Sequence, residues 1–147
     1  MEILGIDCWR VLFHPLTGEW IPGARESLQR IVRSGKYKEI HVISKVPHLL
    51  QPITRLNFYL KGFFKKTGIP KTNLHFCVGY AQKAEIAREL GVTRFIDDRL
   101  EVLKDMNFML ARYAFHPNSR ERAAYPDVEK STTTVHSWAE VEKLLLE

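Results

Sequence analysis

Cysteine is scarce in this chain, and the two that occur, Cys8 and Cys77, stand far apart. Neither belongs to a C-x-x-C pair, so a zinc site or a disulfide framework is not expected. A reduced, cytoplasmic setting is the simplest expectation. Lys83, six residues after Cys77, stands where an arginine would complete a cysteine-phosphatase loop. Long apolar runs are missing too. No stretch approaches the roughly 18 residues needed to span a bilayer, so no membrane partner is expected. The first residues carry Glu2 and Asp7 without a basic flank, which argues against a signal peptide. There is no internal repeat, low-complexity tract or Gly/Ser linker. The 147 residues, 45% of them hydrophobic, are expected to form one globular domain spanning 1–147.

One further absence is local. From Ile40 to Ala84 there is no Asp or Glu, while seven cations occur: Lys45, Arg55, Lys61, Lys65, Lys66, Lys71 and Lys83. The chain's net charge of +5 therefore sits in this block, and the remainder is slightly acidic. A block of one sign can steer polyanions, so the 40–84 face is a candidate surface for nucleic acid. A solvated helix face is the ordinary alternative.

What is present is an alternation of strands and helices. Glu2–Ile6 is a short apolar strand. Pro22-Gly23 opens a helix whose inner face is Ala24, Leu28, Ile31 and Val32, with Gly35 as its left-handed stop. Glu39–Ile43 is a second strand. Leu49, Ile53, Leu56, Leu60, Phe63 and Phe64 then trace a helical stripe, ended by Gly68 and Pro70. Leu74–Val78 reads as a third strand, Gln82–Leu90 as a helix, Thr93–Ile96 as a fourth strand and Phe108–Phe115 as a fifth. Residues 116–130 read as a polar loop and Thr132–Val135 as extended. Ser137 to Glu140 forms a capping box ahead of a last helix with Trp138, Val141, Leu144 and Leu145 inward.

This order predicts a three-layer Rossmann-like α/β fold. Its five- to six-stranded sheet is mostly parallel, with helices on both faces. Right-handed crossovers put the strand C-termini on one edge, where ligands bind in open sheets. Asp7, Ser44, Lys83, Asp97 and Asp98 all lie at that edge. Each alone is unremarkable, as a turn, cap or surface residue. Together they suit a phosphoryl group. Carboxylates hold Mg²⁺ through hard oxygen ligands, a metal-shielded aspartate can attack phosphorus, and Ser and Lys supply donors to phosphoryl oxygens.

The sequence resembles the haloacid-dehalogenase-like superfamily of aspartyl phosphohydrolases over most of its length. The family's first motif is an apolar strand followed by Asp-x-Asp-x-Thr/Val-Leu, and Asp7-Cys8-Trp9-Arg10-Val11-Leu12 stands in its place. Ser44 matches the second motif, Lys83 the third and Asp97-Asp98 the fourth. The run KAEIARELGVTRFIDDRLEVL is the most specific match. The resemblance implies Asp7 as nucleophile and metal ligand, and the backbone carbonyl of Trp9, Asp97 and Asp98 as further Mg²⁺ ligands. Ser44 and Lys83 would bind phosphate. It also implies a capless member, because the intervals after Asp7 and between Ser44 and Lys83 are short. Such members tend to have open sites and often act on macromolecules, or borrow a neighbouring subunit as lid; a phosphorylated substrate or macromolecule is the implied partner.

Trp9 departs from the motif. The family's second aspartate protonates the leaving group and activates water, and an indole N–H does neither. Three readings follow: a slow Mg²⁺-dependent phosphatase, a catalytically inactive pseudoenzyme that binds a phosphorylated partner or nucleic acid, or a different covalent reaction. Dehalogenating relatives carry an aromatic residue here, but they need a cap-enclosed apolar pocket. A phosphoacceptor receiver domain fits less well, because its acidic pair follows the first strand and its lysine comes last.

Overall fold

A computed structural model describes residues 1–147. Six strands pair in parallel throughout: β1 (Glu2–Ile6), β2 (Tyr37–Lys45), β3 (Leu74–Cys77), β4 (Arg94–Asp97), β5 (Ala111–Phe115) and β6 (Thr133–Val135). Their order in the sheet is β3-β2-β1-β4-β5-β6. The chain winds outward from β1 to β3, then crosses back over β1 to lay down β4, β5 and β6. That reversal opens a crevice at the C-terminal ends of β1 and β4.

Strand side chains alternate between two cores, as the pleat requires. Val42, Ile96, Tyr113 and Phe115 join one core, and their neighbours Ile43, Phe95 and Ala114 join the other. The first core is covered by α1 (Ala24–Ser34), α2 (Gln51–Leu60), α3 (Phe63–Thr67) and the C-terminal helix α8 (Trp138–Leu146). The second lies under α4 (Tyr80–Glu89) and α5 (Leu100–Leu103). No helix is long and apolar enough to cross a membrane.

Local chemistry explains most boundaries. Gly35 ends α1 in the left-handed region, with φ 68°, and its N–H donates to the Val32 carbonyl. Ser137 caps α8 by accepting from the Glu140 N–H, and the Glu140 carboxylate accepts from the His136 N–H. Gly5 passes under Phe95 so closely that a Cβ there would lie 2.5 Å from the ring.

Three expectations are corrected. The stripe after β2 is two helices, broken at Gly62, and only its second part, Phe63 with Phe64, packs on the core. Leu49, Ile53, Leu56 and Leu60 are exposed, while Thr54 and Phe58 face the core. The Thr54 hydroxyl donates to the Leu50 carbonyl at 2.8 Å, so its polarity costs little when buried. Residues 116–130 are not a loop but two short helices, α6 (Ser119–Ala124) and α7 (Pro126–Ser131). Asn118 caps the first and Pro126 opens the second. The fifth strand starts at Ala111, because Lys104–Met106 forms a 3₁₀ turn and the segment after it is irregular.

Candidate active site

Register brings the acidic residues together. Ile6 pairs with Ile96, and the Asp7 N–H still donates to the Ile96 carbonyl at 2.9 Å. Asp7 and Asp97 are thus the next residues on adjacent strands. Lys83, at the end of the first turn of α4, enters from the helix layer. Its Nζ donates to Asp7 Oδ1 at 2.9 Å and to Asp97 Oδ2 at 2.6 Å. The lysine is 2% exposed and Asp97 is fully buried. Asp97 Oδ1 accepts from the Arg99 N–H at 3.0 Å. Asp98 is half-buried beside them, and one carboxylate oxygen from each of Asp7, Asp97 and Asp98 lies within 4.8 Å of the others.

Charge in this cluster is out of balance by design of the fold: three carboxylates face one ammonium. Burial alone would push the Lys83 ammonium down, but Asp7 and Asp97 more than reverse that, so it stays protonated. Burial and then the Asp7 charge push the Asp97 carboxyl up, against the pull of Lys83. Burial, Asp7 and Asp97 push the Asp98 carboxyl up further. Three hard oxygen donors under mutual repulsion fit a divalent cation such as Mg²⁺, which removes the repulsion when it binds.

Asp7 sits on a tightly pinned loop. The Cys8 carbonyl accepts from the N–H groups of Val11, Leu12 and Phe13, and Arg10 takes φ 70° to make that turn. Cys8, Val11, Leu12 and Phe13 are fully buried. Trp138 on α8 donates its indole N–H to the Val11 carbonyl at 2.7 Å. Beyond the turn, Phe13 bridges to Trp20, and these rings pack on Phe58 and Phe63. Burial, then the Asp7 charge, pushes the Cys8 thiol well up, so Cys8 is an inert core residue.

All six candidate residues drawn from the sequence, Asp7, Trp9, Ser44, Lys83, Asp97 and Asp98, line one cleft of about 230 Å³. Sequence reasoning missed the rest of its wall: Arg10, Lys45, Pro47, Tyr80, Arg99 and Val102. Their one available signal was position, since Lys45 follows Ser44 and Arg99 follows Asp98. Tyr80 lies between two cations, with Lys45 Nζ 4.3 Å and the Arg99 guanidinium 5.5 Å from its ring centroid. Of the seven cations in 40–84, Lys83 is buried in this cluster and Lys61 pairs with Glu19 at 2.7 Å. Five remain for the basic face. Beside the cleft, and sharing Trp9, Lys45 and Pro47 with it, runs an apolar groove of about 580 Å³ along the exposed side of α2.

Solved structures share this fold class. A protein described as a haloacid dehalogenase-like hydrolase, from Burkholderia xenovorans, superposes with a TM-score of 0.65 at 15% identity. The match covers 89% of this chain and 60% of that one, so the chain spans less than two thirds of that protein's length. A de novo designed Rossmann 3x3 fold protein matches with a TM-score of 0.50 at 14% identity, over 99% of this chain and 92% of the design. A HAD family hydrolase from Deinococcus radiodurans, with phosphate and sodium bound, gives a TM-score of 0.48 at 18% identity, over 86% of this chain and 58% of that one. No protein-family model and no curated protein matches the chain. The fold is Rossmann-like, similar to that of the Burkholderia xenovorans haloacid dehalogenase-like hydrolase.

Proposed function

We propose that this chain is a Mg²⁺-dependent phosphate-site protein that acts as a slow phosphomonoester hydrolase with Asp7 as nucleophile. The observation that carries the reading is the buried Asp7–Lys83–Asp97 cluster, with Asp98 beside it, at the sheet's switch point. Asp7, Asp97 and Asp98 would hold the metal, which supplies charge neutralisation for an attack of carboxylate on phosphate. The Trp9 carbonyl, carried over from the family resemblance, would be a further ligand.

The chain's own groups account for the rest. Asp7 attacks phosphorus through a carboxylate oxygen, and the bond from phosphorus to the ester oxygen breaks. Lys83 has three N–H donors and two carboxylate partners, which leaves one for a phosphoryl oxygen. Ser44 lines the same cleft and offers its hydroxyl. The leaving alkoxide takes its proton from water, because Trp9 has none to give at neutral pH. Water then attacks phosphorus of the aspartyl phosphate, releases inorganic phosphate and returns the Asp7 carboxylate. A missing general acid confines useful rates to good leaving groups. No cap is invoked, because the cleft opens directly beside α2.

Purified protein with Mg²⁺ should hydrolyse an activated aryl phosphate, and Asp7→Asn should abolish the activity. Equal rates for the two proteins would overturn the reading. Trp9 favours a second reading, a pseudoenzyme that binds a phosphorylated partner without turnover. Under it, wild type binds phosphate but is inert, and Trp9→Asp gains about 10²–10⁴-fold in rate.

A further inference from the structure

A second cleft, of about 410 Å³, opens beside the first and shares Arg10, Asp98 and Arg99 with it. Its remaining walls are His116, Asn118, Arg120 and Glu121, so no apolar side chain lines it. We propose that this cleft receives a second anionic group of the substrate, so that the site selects small phosphomonoesters carrying a further phosphate or carboxylate. The inference rests on the phosphate-site reading of Asp7, Lys83 and Asp97.

The charge inventory of the second cleft points to an anion. Glu121 is already engaged, since Oε1 accepts from Arg99 Nε and Oε2 from the Glu101 N–H. The Asn118 carbonyl oxygen is engaged by the Glu121 N–H, which leaves its amide N–H groups free to donate. Asp98 belongs to the carboxylate cluster of the first cleft. Arg10 and Arg120 take part in none of the chain's ion pairs. Two uncompensated guanidiniums and an imidazole therefore share a concave, wholly polar wall. A phosphate or carboxylate matches the guanidinium fork in two parallel hydrogen bonds.

Backbone geometry supports the same place. Arg10 and His116 are the chain's two non-glycine residues at positive φ, at 70° and 47°, and both line this cleft. They come from separate loops, after β1 and after β5, at the sheet edge that carries Asp7 and Asp97. Conformations that L-residues adopt at a cost collect where function requires them. Because the two clefts adjoin at Arg10, Asp98 and Arg99, one phosphate at Asp7 and one anion among Arg10, His116 and Arg120 belong on one small molecule.

Calorimetric titration at low ionic strength with Mg²⁺ tests this. The probes are an n-alkyl monophosphate, the corresponding alkane carrying a phosphate and a terminal carboxylate, and α,ω-alkanediol bisphosphates over a series of chain lengths. At the best length the second anion should tighten binding about tenfold or more, equivalent to about 1.4 kcal/mol. Arg120→Ala, an exposed helix position, should erase most of that gain and leave the monophosphate affinity unchanged. Arg10→Gly, which keeps the left-handed backbone, should also reduce it. Monophosphate binding with no gain from a second anion at any length overturns this inference and leaves the phosphate site standing. A gain undiminished in both variants overturns it likewise. Failure of every probe, the monophosphate included, overturns the phosphate-site reading itself.

Discussion

Replacing Lys83 by methionine is the sharpest physical test of the buried cluster. Methionine keeps an unbranched side chain of similar length and removes the ammonium. Lys83 lies 2.9 Å from Asp7 and 2.6 Å from Asp97. At an effective dielectric of about 20, each contact carries about 6 kcal/mol of gross attraction. Most of that is offset by the cost of burying the charges. Removing one partner of a buried pair has a net cost of about 3–5 kcal/mol, because the other charges stay buried. In a chain of this size that corresponds to a melting-point drop of about 6–20 °C. The pH dependence is diagnostic. Lys83 opposes the upward push on Asp97, so without it the folded-state Asp97 carboxyl is raised further. A carboxyl raised on folding gives stability that is present below its unfolded pKa and lost as pH rises through the folded value. The melting penalty of Lys83→Met should therefore be larger at about pH 8 than at about pH 5. The measurement is thermal unfolding by circular dichroism at both pH values, with wild type alongside. A penalty under about 1 kcal/mol, or one equal at the two pH values, would refute the account of the cluster.

Two further outcomes follow from the same geometry. Asp97 and Asp98 are both raised, so protons compete with Mg²⁺ for the cluster, and affinity should climb with pH by up to about tenfold per unit for each proton released. Calorimetry in buffers of different ionisation heat reads the protons directly, and binding without proton release would contradict the raised carboxyls. Trp138→Phe removes the indole N–H that meets the Val11 carbonyl at 2.7 Å and should cost about 1–3 kcal/mol in denaturant unfolding. A shift within error would mean that α8 does not anchor the Asp7 loop.

The sheet edge was legible in the sequence because strands of this type announce their ends. Glu2–Ile6 is apolar up to Asp7, and the strand ending at Asp97 is followed at once by Asp98. Parallel topology does the rest, since it collects those ends whatever lies between them. The burial of Lys83 was not legible. A lysine near a helix start reads as solvated until two other strands supply its carboxylates. The stripe on α2 misled for a different reason. Periodicity defines an apolar face but not which way it points, and here the core takes Thr54 and Phe58 while Ile53, Leu56 and Leu60 face the groove. Residues 116–130 carry cap residues at Asn118 and Pro126 but no apolar period, so two short helices pass for a loop. Their position matters, because His116, Asn118 and Arg120 form the second cleft.

Trp9 joins these lines. Its side chain borders both the reaction cleft and the apolar groove, and it packs edge-on against Phe13 with ring centroids 6.4 Å apart. An indole there is a wall between two compartments, held by the aromatic cluster that anchors the loop. A carboxyl at position 9 would face the Asp7, Asp97 and Asp98 cluster across the cleft. Like charges raise a carboxyl's pKa, so before Mg²⁺ binds this cluster would favour the protonated form of such a group. The carboxylates and Lys83 of the cluster are all in place, and Trp9 withholds the proton donor. What separates turnover from binding is the wild type's own rate on an activated aryl phosphate, since Trp9→Asp restores the donor and should raise the rate under either reading.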